Sequence, residues 1–229
     1  MSPVKLPRDL SDWLERRARL ESRTLEHQGL AGRCGELRAW QCVRVARTYD
    51  DLRRDSRFRR AIEFFLSDLY GMRDAARRDR EVARAWSLLA VSLPEAVLEL
   101  LRRAVELGVL SDELDQALVA QLADAPLSDA KYAAAYRALG RRSAREHQID
   151  LVAGMSAALE RLAGGPLVAA ALRAARVPAH LGGFGEIHDF LERGYTAFED
   201  PKDATELMAI VRERETRLME RLFASRPAS

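Results

Sequence analysis

Three ionisable side chains stand where an apolar helix face would otherwise run, so chemistry is sought there first. Asp68 follows Phe64 and Phe65 by one turn and Ala61 by two, and therefore borders an apolar stripe. His188 shares its face with Phe184, Leu191 and Tyr195 at −4, +3 and +7. Glu215 lies among Met208, Val211, Leu218, Met219 and Leu222 at −7, −4, +3, +4 and +7. A carboxylate in such company must be paired, carry a raised pKa, or sit at the helix edge. If the three converge they form a buried polar constellation that could hold a ligand or a metal, and Asp68, His188 and Glu215 are then the working set of a metal-dependent enzyme. In the alternative arrangement each acid pairs with one of the many arginines and His188 bonds to a backbone carbonyl. Tyr70 and Tyr195 supply hydroxyls to either version, or simply point their rings inward.

Established motifs are mostly excluded. A di-iron bundle needs Glu-x-x-His pairs, because i and i+3 put both ligands on one face. The residues three before His27, His147, His180 and His188 are Thr24, Ala144, Val177 and Gly185, so that pattern is absent. A mononuclear iron facial triad needs two histidines and one carboxylate, which four scattered histidines leave open. Gly182-Gly183-Phe184-Gly185 follows a helix rather than a strand and lacks the context of a phosphate cradle. No Cys-x-x-Cys and no Gly-x-Ser-x-Gly occurs. The sequence therefore assigns neither catalytic residues nor a metal-ligand motif, and the cofactor stays unknown. His147, among Arg145, Glu146, Gln148 and Asp150, reads as part of a solvated face. So do the pairs Arg53-Arg54, Arg59-Arg60 and Arg77-Arg78.

Positioning those side chains falls to helices. Nearly every segment has helical period and none alternates with period two, which predicts an all-α, compact antiparallel bundle of about nine or ten helices. Gly29, Gly71, Gly108, Gly164-Gly165-Pro166 and Gly182-Gly183 mark the breaks. Expected helices include Glu36 to Arg54, Phe58 to Tyr70, one capped by Asp79 through Ser92, and one opened by Pro94 and closed at Gly108. Ser111 is expected to begin the next helix. Ser128 then begins a long stretch to Leu162, kinked at Gly140, and a short Ala-rich helix follows to Val177. The last two run from Phe184 to Phe198 and from Asp203 to Phe223. Connections are short and no solenoid repeat is visible, so residues 1–229 read as a single domain. A helix-turn-helix repressor is disfavoured, because residues 1–60 read as long helices without the required turn.

Charge sets further limits. Lys+Arg 37 against Asp+Glu 35 leaves a net charge of +2 in 229 residues, which argues against nucleic acid as a partner. All basic residues except Lys5, Lys131 and Lys202 are arginines. The basic surplus lies in the first 90 residues, the one region where an acidic partner gains a foothold. No apolar run reaches the roughly 20 residues of a membrane span. Met1 to Pro7 lacks the apolar core of a secretory signal. Cys34 and Cys42, about 12 Å apart along a helix, are too distant for a disulfide. A cytoplasmic location is expected.

The stretch Phe64-Phe65-Leu66-Ser67-Asp68-Leu69-Tyr70-Gly71, followed by Arg78-Asp79, resembles the FFL-x-DLYG stretch of an uncharacterised family of helical bacterial proteins. Asp189-Phe190-Leu191-Glu192-Arg193-Gly194 with Ala197-Phe198, and Arg214-Glu215 before Leu222-Phe223, are similar to that family's C-terminal half. The likeness spans residues 36–223. It implies a shared helical fold, attaches no activity, and draws attention to Asp68, Tyr70 and Glu215.

Together these readings favour a protein–protein interaction or regulatory module that binds a protein partner or forms a homodimer. Leu207, Val211, Leu218 and Leu222 would then provide the seam. A bundle enclosing a small apolar or haem-like ligand near Phe64, Phe65, His188 and Tyr195 is the alternative, and the metal-dependent enzyme the third reading.

Overall fold

Helical periodicity becomes helix along the whole described chain. The computed structural model describes residues 5–70, 75–122, 126–162 and 166–224. Among the described residues there are twelve α-helices: α1 (Arg8–Glu26), α2 (Leu30–Thr48), α3 (Asp50–Arg54), α4 (Arg59–Phe64), α5 (Ala75–Ser92), α6 (Glu95–Leu122), α7 (Asp129–Leu139), α8 (Arg142–Ala153), α9 (Ser156–Leu162), α10 (Pro166–Leu181), α11 (Gly185–Ala197) and α12 (Pro201–Ala224). A π-helical turn, Phe65–Tyr70, continues α4, and the described residues hold no strand. The expected all-α bundle is present. The side chain of Tyr70, the Gly71 stop and the Gly164-Gly165 break lie outside the described residues.

α6 is the hub. Sixteen of its 28 residues are buried, spread from Ala96 to Leu122, and α1, α2, α5, α7, α8 and α9 all pack on it. A stop at Gly108 and a fresh start at Ser111 were expected, yet the helix passes through both. An interior glycine costs only about 1 kcal/mol relative to alanine, which the burial of Leu107, Val109 and Leu110 around it outweighs. The Ser111 hydroxyl accepts a bond from Gln148 Nε2 at 2.7 Å instead of capping a helix.

The expected 128–162 helix is three helices. Ser128 caps α7, its hydroxyl accepting from the Lys131 N–H, and Gly140 ends it with φ 62°, the left-handed region that favours glycine. α10 runs four residues beyond the expected Val177. Pro178 lies in its last turn, where the missing N–H removes a single bond. Asp79 does not cap α5: it lies within the helix, wholly buried.

α12 packs on α7, α8 and α9. Leu207 and Val211 are buried there with Met208, and Leu218 and Leu222 are half-buried. The stripe read as a dimer seam is thus largely covered within its own chain. No helix among the described residues is long and apolar enough to cross a membrane.

Candidate functional site

The Phe64-Phe65 pair sits where α4 gives way to the π turn. Phe65 N–H is shared between the Ala61 and Ile62 carbonyls, four and three residues back, where the α-helix ends and the π turn takes over. Asp68, in that turn, is held from both sides. Its Oδ1 accepts from Arg193 Nε at 2.9 Å and Nη2 at 2.6 Å, and its Oδ2 lies 2.7 Å from the Ser67 hydroxyl. Arg193 belongs to α11, so the two resembling stretches of sequence meet here. Phe64 packs on Phe190 and Phe198, with ring centroids 5.4 and 6.0 Å away.

Beside these rings lies a cavity of about 300 Å³. Its wall is almost wholly apolar: Phe64 and Phe65 on one side, Val97, Leu100 and Ala104 of α6 on another, and α10 with α11 closing it. Tyr195 of α11 is in the wall and His188 is not.

Glu215 belongs to another chamber. The Tyr49 hydroxyl donates to its Oε1 at 2.9 Å and Arg44 Nη2 stands 3.7 Å from Oε2. This smaller cavity, about 100 Å³, is walled also by Asp115, Tyr136 and Arg145, and Phe65 stands between it and the apolar one. Burial pushes the Asp115 carboxyl above its ordinary range, against the opposing pull of Gln41, whose Nε2 donates at 3.0 Å. Burial likewise pushes the Tyr136 phenol up to about 12. Arg145 is 8% exposed and stacks over the Tyr136 ring at 4.8 Å, and its Nη2 is buried with no hydrogen-bond partner among the described residues.

His188 is buried at the start of α11 and turned toward α10, where its Nε2 donates to the Leu172 carbonyl at 2.8 Å. Asp68, His188 and Glu215 therefore do not converge. Each has separate partners, two acids on arginines and the histidine on a backbone carbonyl. What stands beside His188 is Asp189, with Oδ1 3.4 Å from His188 Nδ1, and His180 of α10, with Nε2 3.3 Å from the same oxygen. Hydrogen bonding to the Arg176 carbonyl, aided by Asp189 and opposed by slight desolvation, holds His180 above its ordinary pKa.

The turn that makes this possible is glycine-dependent. Phe184 N–H bonds the Ala179 carbonyl and Gly183 N–H the His180 carbonyl, a Schellman closure with Gly183 at φ 77°. A Cβ at Gly185 would stand 3.0 Å from the His180 ring, so glycine lets the imidazole lie against α11. Buried Glu81 fixes the other side, accepting the Ile187 N–H at 3.0 Å in the first turn of α11, where a negative charge suits the helix dipole.

Sequence reasoning missed the most buried charges. Arg17 Nε donates to Asp79 at 3.0 Å, Arg78 Nη2 donates to the same carboxylate at 2.8 Å, and Arg17 also pairs with Asp112. Burial alone pulls the Arg17 guanidinium down, and Asp79 with Asp112 push it above its ordinary value. Arg78, read as solvated, is 4% exposed. The apolar residues Val82, Ala85 and Trp86, recurring at +3, +6 and +7 from Asp79, were the available sign that Asp79 faces the core.

No curated protein and no solved structure matches this chain. One family model does, over residues 20–229, and the chain belongs to the family that it describes, a domain of unknown function (DUF8198).

Proposed function

We propose that this protein binds a small apolar molecule in the cavity beside Phe64 and Phe65. The reading is carried by the cavity itself, about 300 Å³ of almost wholly apolar wall. Left to solvent, such a wall forgoes about 25 cal/mol for every Å² of apolar surface that a ligand would cover. A ligand of matching size recovers that energy. Water cannot, because an apolar wall offers it too few partners. The volume also falls at the lower end for small-molecule sites. A haem-like occupant is not favoured, since His188 is absent from the wall and its Nε2 is engaged by Leu172. The reduced thiols of Cys34 and Cys42 suit a cytoplasmic setting for this activity.

The test is a titration with straight-chain alkanols of increasing length. Expected is one-to-one binding that strengthens by roughly 0.8 kcal/mol per methylene until the cavity is full. Ala104→Met, which places a flexible side chain into the space, should abolish it. Absence of saturable binding at any length, or unchanged binding by Ala104→Met, overturns the proposal.

A second reading, a docking module for another protein or a second copy, has support from exposed Leu88 and Val91 of α5 and Val177 and Leu181 of α10. Sedimentation over a concentration range tests its self-association form, which a constant monomer mass removes.

A further inference from the structure

We infer that His180, His188 and Asp189 form a binding site for one divalent first-row transition ion, with coordination positions left open to solvent. The inference stands apart from the apolar cavity and rests on how the two imidazoles are anchored.

A backbone carbonyl only accepts hydrogen bonds, so a ring nitrogen bonded to one carries the hydrogen. His188 Nε2 is so bonded to Leu172 at 2.8 Å, and His180 Nδ1 to Arg176 at 2.9 Å. In the neutral imidazoles the opposite nitrogens, His188 Nδ1 and His180 Nε2, then present lone pairs. Both face Asp189 Oδ1, at 3.4 and 3.3 Å. Three electron-pair donors thus converge, with their ligand atoms all within 4.8 Å of one another. Among the described residues this is the group of three that meets metal-binding geometry.

The spacing fits an ion. With ligand distances of about 2.1 Å, neighbouring ligands around a tetrahedral centre are separated by about 3.4 Å. Both histidine–aspartate separations match that edge. Metal-bound histidines typically donate the other ring N–H to a carbonyl or carboxylate, which fixes tautomer and orientation, and both imidazoles here do so. Their rings stand 5.7 Å apart at 64°. Neighbouring cations have partners of their own: Arg176 approaches Glu192, and Arg84 Nη2 donates to the Gly183 carbonyl at 3.1 Å.

Two imidazoles and a carboxylate suit borderline ions such as Zn²⁺ or Fe²⁺ rather than Mg²⁺ or Ca²⁺. The His188 side chain is 4% exposed while those of Asp189 and His180 are 38% and 45% exposed. The ion would therefore be anchored from the protein side and open outward. Three protein ligands with free positions are the arrangement of ions that bind water or substrate, whereas structural zinc is closed by four.

The experiment uses the untagged full chain stripped of metal, titrated calorimetrically with Zn²⁺ and, without oxygen, with Fe²⁺. Co²⁺ serves as a visible-absorption reporter. Expected is one-to-one uptake of Zn²⁺, with the Co²⁺ bands displaced by Zn²⁺. His180→Ala and Asp189→Asn, both at solvent-exposed side chains, should fold as wild type and lose that uptake. His147→Ala and the Cys34→Ser, Cys42→Ser pair should keep it, as should Ala104→Met, which separates this site from the cavity. Failure of wild type to take up any of the three ions stoichiometrically overturns the inference, as does unchanged uptake by His180→Ala.

Discussion

Arg17 and Asp79 meet in the interior, Nε to Oδ2 at 3.0 Å, with the aspartate side chain fully excluded from solvent. The two residues are 62 positions apart and tie α1 to α5. Asp79 also receives Arg78, and Asp112 of α6 completes the cluster on the far side of Arg17. Removing one partner of such a cluster leaves the others as uncompensated buried charge. Asp79→Asn should therefore lower unfolding free energy by about 3–5 kcal/mol. Urea titration monitored by circular dichroism measures it, and a loss below about 1 kcal/mol would show that water reaches the arginines.

Close packing between the end of α4 and α11 makes a second prediction. A Cβ at Gly194 would stand 3.3 Å from the Phe64 ring, tighter than ordinary contact, and Phe64 is pinned by Phe190 and Phe198. Gly194→Ala should displace that ring and cost about 1–3 kcal/mol, despite alanine's better helix propensity. A gain in urea midpoint would mean the ring can retreat into the adjoining cavity.

Acid sensitivity should have a distinct contribution from Asp51. Its hydrogen bonds from Arg214, at 2.7 and 2.6 Å, bring the carboxyl from 3.8 down to about 2. The folded-state pKa lies below the unfolded one, so the stabilisation is whole above about pH 4 and declines as pH falls toward 2. Both side chains are partly solvated, so the effect is small and weakens with salt. Carboxyl-carbon NMR titration of Asp51 should give a midpoint near 2, and Asp51→Asn should flatten that part of the stability curve. A midpoint near 3.8 would mean the pair is open in solution.

Asp115 should act in the opposite sense. Burial raises its folded-state pKa above the unfolded value, so the stabilisation is complete below about pH 4 and is lost as pH climbs through the raised value. Asp115→Asn keeps an acceptor for Gln41 and never ionises. It should gain on wild type as pH rises above about 4, as read by thermal unfolding. A difference that does not grow as pH rises above about 4 would place Asp115 at its ordinary pKa.

Fold class was legible because period and breakers are local properties. Ser128 capped its helix as expected, since a hydroxyl at the first turn acts on the backbone beside it. Gly108 misled for the complementary reason: whether a glycine ends a helix depends on what surrounds it, and α6 is buried around Gly108 from Leu107 to Leu110. Asp68, His188 and Glu215 drew notice through their apolar neighbours, yet periodicity along one helix carries no information about which helix lies opposite. Arg193, Leu172 and Tyr49, their actual partners, are 125, 16 and 166 residues away. His180 was passed over because its pairing with Asp189 depends on the Gly183 turn, which folds α10 back on α11.

The π-helical turn gives the chain a length that is adjustable at one place. A π turn holds more residues than an α turn, so Phe65–Tyr70 behaves like an α-helix carrying surplus chain. Excising Ser67 would remove that surplus, letting the segment relax to ordinary helix without turning the elements on either side of it. Asp68 would then lose the Ser67 hydroxyl that donates to it, and would depend on Arg193 alone. A residue gained or lost within this turn is thus absorbed where it occurs, and the seat of Phe64 and Phe65 against α11 is buffered against it.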